Sequence, residues 1–382
     1  MNKIAELISR LCPDGVEFKT LDSLVSYVQP GPYIVSSTEY DTHYSTPVLT
    51  AGQSFILGYT NEEEGIYNAS SQKPVIIFDD FTTSFHWVDF DFKVKSSALK
   101  ILKIKDKQEA DFRYIYMAMK TIHFIPTNHM RHWISLYSKF EIPLPPLNIQ
   151  KEIVSILDSF TSLIGKMKQE VEMRKKQMEY YREKLMAPQT NWKIKTLGEI
   201  GTFTRGNGLQ KSDFRVKGFP CVHYGQIHTY YNTCIYKTKS FCEEDLAKKL
   251  QKASYGDLLI ATTSEDVKAC CKAAVWFGAG DVAYSGDSFC YSHDQDPKYM
   301  AYLFQTEMFA KQKQKAATGA KVIRVSGESM ASFSFAFPPL VQQRQIASIL
   351  DSFETYISKL EKMIELRQKQ YEYYREKLLT FE

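Results

Sequence analysis

Residues 145–186, PPLNIQKEIVSILDSFTSLIGKMKQEVEMRKKQMEYYREKLM, return without a gap at residues 338–379 as PPLVQQRQIASILDSFETYISKLEKMIELRQKQYEYYREKLL. Of the 42 aligned positions, 24 are identical, so the chain is built as two tandem copies of one unit. In the first copy Ile153, Leu157, Phe160, Ile164, Met167, Val171, Arg174, Met178, Tyr181 and Leu185 follow one another in steps of four and three. Ile346, Leu350, Phe353, Ile357, Leu360, Ile364, Arg367, Tyr371, Tyr374 and Leu378 do the same in the second. That alternation is a heptad seam, and both seams are broken by arginine at the same place. Paired prolines stand just ahead of each run, where proline is tolerated before a helix and stops structure from propagating upstream. The spacing predicts two long paired helices, each of roughly 33 residues and roughly 50 Å.

Connectivity restricts how they pair. Only residues 187–191 separate the first helix from Trp192, where a second variable region begins, and that region hands over to the second helix at Pro338. Because the ends of a domain usually lie close together, the second helix starts near the end of the first and runs back along it. The expectation is an antiparallel intramolecular coiled coil with a variable region at each end and an approximate two-fold axis. Pairing of the seams between two chains is the alternative.

Fainter echoes precede the helices. Lys19-Thr20-Leu21 returns as Lys195-Thr196-Leu197, Pro47 and Gly52-Gln53 return as Pro220 and Gly225-Gln226, and Arg131 returns as Arg324. The offset grows from 176 at Lys19 to 193 at Pro145, so the second copy carries 17 extra residues inside its variable part. Short apolar or alternating runs bounded by turn residues predict strands over 46–49, 73–78, 90–94 and 99–104, and over 219–224, 257–261 and 282–284. Helices are expected over 111–120 and 296–309. The fold class is α+β: a helical lead over 1–15, variable α/β domains at 16–144 and 188–337, and helices at 145–187 and 338–382.

A chain of 382 residues predicts two or three globular parts, and 44% hydrophobic residues suffice for their cores. The seven cysteines include no C-x-x-C pair and read as reduced thiols of a cytoplasmic protein rather than a disulfide or zinc framework. No run approaches 18 apolar residues, which argues against a membrane span. No phosphate loop, nucleophile with its base or metal cluster is present, so no catalytic residue, metal or cofactor is assigned. Asp79-Asp80 point to opposite faces of a strand and read as polar contacts. Asp158 and Asp351, at equivalent places in SILDSF, read as helix–helix or helix–loop hydrogen-bond partners.

The net charge of +4 announces no nucleic-acid protein, so basic surface must be local. Residues 22–144 hold 11 Lys and Arg against 14 Asp and Glu, whereas residues 198–337 hold 17 against 14. Candidate contacts to a polyanion in the first region are Lys73, Lys93, Lys95, His129, Arg131 and His132. In the second they are Arg205, Asn207, Lys211, Gln226, Thr263, Lys268, Lys321 and Arg324. Cations on loops beside amide and hydroxyl side chains are what positions a protein on phosphates and reads base edges.

The duplicated PPL-x-x-Q…ILDSF…EYYREKL helices, each preceded by a different aromatic-rich domain, resemble the specificity (S) subunit of type I restriction–modification enzymes over nearly the whole chain. TPVLTAGQSFILGYTNEEEGIY, PVIIFDDFTTS and FKVKSSALKIL are similar to one recurring type of first target-recognition domain in that family. The resemblance implies that each domain reads one half of a bipartite double-stranded DNA target. It implies that the helices set the spacer and dock methyltransferase (modification) subunits, two of them, alongside restriction subunits that use ATP to translocate and cleave. It implies no catalysis by the chain itself. A stand-alone nuclease or methyltransferase, and a coiled-coil adaptor for proteins, are the rival readings.

Overall fold

The computed structural model describes residues 6, 8, 10–52, 54–126 and 130–381. They form two compact units: one runs to Lys168 and takes in the segment from Met363, and the other is Gln169–Lys362. Of the lead expected over 1–15, Glu6, Ile8, Arg10 and Leu11 are helical and the first five residues lie outside the described ones.

Both long helices are 40 residues, Leu147–Met186 and Leu340–Leu379, starting directly after the paired prolines and so longer than the heptad spacing alone indicates. In the first unit, the early part of one helix packs against the late part of the other. Phe160 meets Tyr374 with ring centroids 5.5 Å apart, and Ile149, Ile153 and Leu157 share a core with Leu378 and Leu379. In the second unit Tyr181 stacks on Phe353 at 5.5 Å and Lys175 pairs with Glu361 at 2.9 Å. Each pairing runs antiparallel, within one chain. Along the seam Ile153, Leu157, Ile164, Ile346, Leu350, Ile357 and Leu360 are buried, and Phe160, Met167 and Phe353 are partly so. The seam arginines are held locally, Arg174 by Glu170, Gln177 and the Tyr356 ring, Arg367 by Gln370.

The same scaffold is built twice above these helices. The first unit has a sheet in the order Val25–Val28, Leu99–Ile104, Val75–Asp79, Phe85–Val88, all antiparallel. The second repeats it as Gly201–Arg205, Ser288–His293, Leu258–Ala261, Lys272–Trp276, and adds Cys234–Ile235 at the edge. Smaller sheets match as well: Thr46–Leu49 lies parallel to Lys93–Val94 and antiparallel to Ile56–Thr60, as Phe219–Val222 does to Val282–Tyr284 and Ser240–Cys242. Strands such as Val75–Asp79 and Leu258–Ala261 are buried along their length, as continuous β-branched and apolar runs require.

The shared motif residues tie each domain to its helix. Gln150 is fully buried; its Nε2 donates to the Pro145 carbonyl at 2.7 Å and its Oε1 accepts from the Asp111 amide at 2.8 Å. Asp111 then caps the helix Phe112–Met119, and Arg113 in that helix pairs with Asp158 at 2.9 Å. Gln343 repeats the clamp with the Pro338 carbonyl at 2.9 Å and the Asp296 amide at 3.0 Å; Asp296 caps Pro297–Leu303 and Lys298 pairs with Asp351. A buried amide whose donor and acceptor are both used cannot be exchanged cheaply for another side chain, which accounts for Gln at this point of both motifs.

Candidate DNA interface

In each unit one end of the sheet gathers polar loops, and the two arginines that echo one another in sequence stand there. In the first unit the turn after Val75–Asp79 is tight. Asp79 Oδ1 accepts from the amides of Phe81 and Thr82, Ser84 Oγ donates to the Ala51 carbonyl, and Thr83 takes a left-handed conformation with φ of 57°. Asp80 is 1% exposed and pairs with Lys100, equally buried, at 3.3 Å. The Asp80 carbonyl accepts from the His132 amide at 2.8 Å and its Oδ1 from the Trp133 amide at 2.9 Å. Asp80 thereby holds the start of the helix His132–Ser135, and Arg131, at its N-cap, is exposed.

The second unit reaches the same arrangement with other parts. The hairpin after Leu258–Ala261 spans residues 262–271, and its Thr263 and Ser264 pair with Arg324 and Ile323 as a two-residue ladder. Cys271, buried, closes it in the left-handed region at φ of 62°. Arg324 is exposed and precedes the helix Gly327–Ala331, as Arg131 precedes its own. Around the ladder, the Thr263 carbonyl accepts from His228 Nε2 at 2.9 Å, which makes that ring nitrogen the donor. Thr262 and Thr263 reach Asp287, and Arg205 Nε donates to the Gly286 carbonyl at 3.1 Å. A cleft of about 460 Å³ opens here, lined by Arg205, residues 206–210, His223, Tyr224 and residues 285–287. Gly206 is required: a Cβ there would stand 2.2 Å from the Ser285 carbonyl oxygen. Lys211, exposed, borders His223, whose pKa is held below the usual value by burial and then by the Lys211 charge.

The candidates read from sequence therefore divide. Arg131, Arg205, Lys211, Lys268, Lys321 and Arg324 are exposed, and Arg324 is held beside the Arg205 loop by its ladder with Thr263, which reaches Asp287 next to Gly286. Lys73 is exposed but stands at the opposite end of its sheet, beside Val75 where the strand begins. Lys95 is half-buried with its ammonium over the Tyr40 ring. His129 lies outside the described residues. Lys93 is corrected: it is 3% exposed, pairs with Glu62 at 2.8 Å and donates to the Glu64 carbonyl, so its charge is already consumed. His132 is likewise buried, edge-on to Phe124 at 5.4 Å, and presents no ring to a polyanion. Asn207 spends both side-chain groups on the backbone of Lys249 and Gln251, and Gln226 spends its own on His223 and Ser240; both shape loops. Thr263 is buried and acts through the ladder. Sequence reading passed over Lys100, Tyr224 and His228; the strand alternation around Leu99–Ile104 placed Lys100 inward, a signal for a buried partner.

Among the described residues no group of three or more His, Cys, Asp and Glu side chains is placed to hold a metal ion, and no helix is long and apolar enough to cross a membrane. Comparison with known proteins gives the architecture its family. The model of the type I restriction modification DNA specificity domain matches twice, at residues 13–173 and 189–368. The chain is 35% identical over 388 aligned positions to the Escherichia coli type I restriction enzyme EcoR124I/EcoR124II specificity subunit, covering 96% of this chain and 95% of that one. It is 28% identical, with 96% of each covered, to a putative type I specificity subunit of Haemophilus influenzae. In fold it is similar to the crystal structure of the S subunit from M. genitalium, with a TM-score of 0.60 at 16% identity over 95% of this chain and 96% of that one. Two matched copies of the specificity domain, carried on two antiparallel helices, place the chain in the family of type I restriction–modification specificity subunits.

Proposed function

We propose that residues 16–144 and 188–337 are target-recognition domains that each read one half of a bipartite double-stranded DNA sequence. The observation that carries the reading is the equivalence of Arg131 and Arg324: each stands exposed beside the hairpin of a shared sheet, while the hairpins themselves differ in length and chemistry. A common frame with dissimilar contact loops is what a reader of an asymmetric site needs. The chain contributes no catalytic group. Methyl transfer belongs to modification subunits, two per S subunit, and ATP-driven translocation and cleavage to restriction subunits. The long helices are the dock for the modification subunits, and the apolar side chains left exposed along them, Leu163, Met173 and Tyr180 on one and Ile349, Met363, Leu366 and Tyr373 on the other, support this.

The test is to express the chain with its cognate methyltransferase and map modified bases in host DNA by single-molecule sequencing. A split motif is expected, with one half altered when residues 16–144 are exchanged for those of another S subunit and the other half when residues 188–337 are. A complex that forms and methylates an undivided motif would refute the bipartite assignment. The isolated chain should bind DNA weakly and with steep salt dependence, since its first domain is net acidic.

A further inference from the structure

At the end of the first unit's sheet remote from the Asp80 hairpin lies a cavity of about 550 Å³, within the size range of small-molecule sites. Its walls are the start of Val75–Asp79, the ends of Phe85–Val88 and Leu99–Ile104, the first residues of Phe112–Met119, and the first turn of the long helix. Five cationic side chains line it, Lys73, Lys103, Lys107, Arg113 and Lys151, against the single carboxylate of Asp111, which is spent on capping its helix. This is a concentration of positive charge in a domain that is net acidic. Arg113 is neutralised by Asp158, but among the described residues the ammonium groups of Lys73 and Lys151 have no hydrogen-bond or ion-pair partner. Lys103 has only the Tyr67 ring, 5.4 Å from its ammonium, and Lys107 only the Gln72 carbonyl. Between these cations the wall is aromatic, from Tyr67, Trp87 and Phe112.

The matching corner of the second unit carries an aromatic cluster. Phe277 packs against Tyr236 at 5.9 Å and Tyr255 at 5.1 Å, and Lys298, the counterpart of Arg113, lies over the same ring. Unpaired ammonium groups converging on a concave site recruit a compact polyanion, and an apolar aromatic wall accepts a flat ring. We propose that this cavity binds a phosphate-bearing small molecule of nucleotide size, its phosphates on Lys73, Lys103 and Lys151 and its ring against the aromatic wall. The site is separate from the DNA-reading end of the domain: strand Val75–Asp79 runs its full length, roughly 17 Å, between them.

Titration calorimetry on the full chain, with ADP and with pyrophosphate as probes at low salt, tests this. Saturable one-to-one binding is expected, tighter for ADP than for pyrophosphate. The exposed pair Lys103→Glu with Lys151→Glu should weaken it at least ~10-fold, while Lys237→Glu, an exposed cation in the other unit, leaves it unchanged. A duplex carrying the target sequence should not displace ADP. No saturable binding of either probe, binding indifferent to the double charge reversal, or ADP no tighter than pyrophosphate would each overturn the assignment. Displacement of ADP by duplex, mole for mole, would also overturn it and give these cations to the DNA backbone. Should the double reversal fail to fold, as judged by far-UV circular dichroism, Lys73→Ala with Lys151→Ala asks the same question without adding charge.

Discussion

The hairpin of residues 80–84 and the hairpin of residues 262–271 leave equivalent strands and carry out the same task, docking the segment that bears Arg131 or Arg324, by different physics. The first is five residues and relies on a buried charge: Asp80, neutralised by Lys100, takes two backbone amides of the docked segment. The second is ten residues and relies on backbone, pairing Thr263 and Ser264 with Arg324 and Ile323 while Lys313 ties down the Lys268 and Cys270 carbonyls from behind. Each also holds one non-glycine residue in the left-handed region, Thr83 and Cys271. Strain of that kind persists where the surroundings over-determine the backbone. The frame fixes where the arginine stands, and the loops are free to differ in how they hold it and in what they offer DNA.

The sharpest way to break this comparison is at the buried charge. Asp80→Asn leaves the Lys100 ammonium sequestered without its counter-charge and should cost ~3–5 kcal/mol in chemical denaturation. Thr262→Val, removing a hydroxyl that makes one long contact at 3.4 Å, should cost less than ~1 kcal/mol. Comparable losses would mean that the two hairpins are held alike. The glutamine clamps, by contrast, should be equal. Gln150→Leu and Gln343→Leu each strand a buried amide and a buried carbonyl, for ~2–3 kcal/mol apiece by the same measurement, and a large asymmetry would undo the claim of a repeated frame.

At the DNA, Arg131→Ala and Arg324→Ala should each relax one half of the methylated motif and leave the other intact. A loss of ~1–3 kcal/mol in target affinity is the scale of a bidentate base contact. Unchanged motifs in both variants would reduce the two residues to solvated surface charge. The smallest effect concerns pH. His223 and His293, both in the second unit, have pKa values lowered chiefly by burial. His223 Nδ1 also accepts the Gly225 amide, which only the unprotonated ring allows. A histidine whose folded pKa lies below its unfolded value of about 6.5 contributes stability above that pH and loses it as the pH falls. Thermal unfolding should therefore weaken on going from about pH 7.5 to about pH 5.5, and His223→Asn, which keeps a cap acceptor without titrating, should flatten the dependence. An identical slope in that variant would remove His223 from the account.

Much of the fold was legible in the residues. The strands expected over 46–49, 99–104 and 282–284 coincide with Thr46–Leu49, Leu99–Ile104 and Val282–Tyr284, and the helix expected over 111–120 is Phe112–Met119 with Asp111 as its cap. The stretch expected as one helix over 296–309 is two, Pro297–Leu303 and Glu307–Ala316, because Thr306 turns out of the first and its hydroxyl caps the second. The Thr-Glu pair is a start signal that the apolar periodicity concealed. Lys93 and His132 went astray for another reason. Residue type says that a side chain can carry positive charge, and says nothing of whether Glu62 or Phe124 will be packed against it.

The sequence by itself determined that the chain is a tandem repeat, that its two helices pair along a heptad seam, and that Gln and Asp recur where domain and helix meet. Those features are local or periodic, so spacing encodes them directly. Only the tertiary structure decided which cations remain available. The partners that neutralise Lys93, Lys100 and Arg113 lie 31, 20 and 45 residues away, and those left unmatched at Lys73 and Lys151 are brought together by strands and a helix that no short window of sequence connects. Whether a charge is free is settled by what folds against it, and that is long-range by nature.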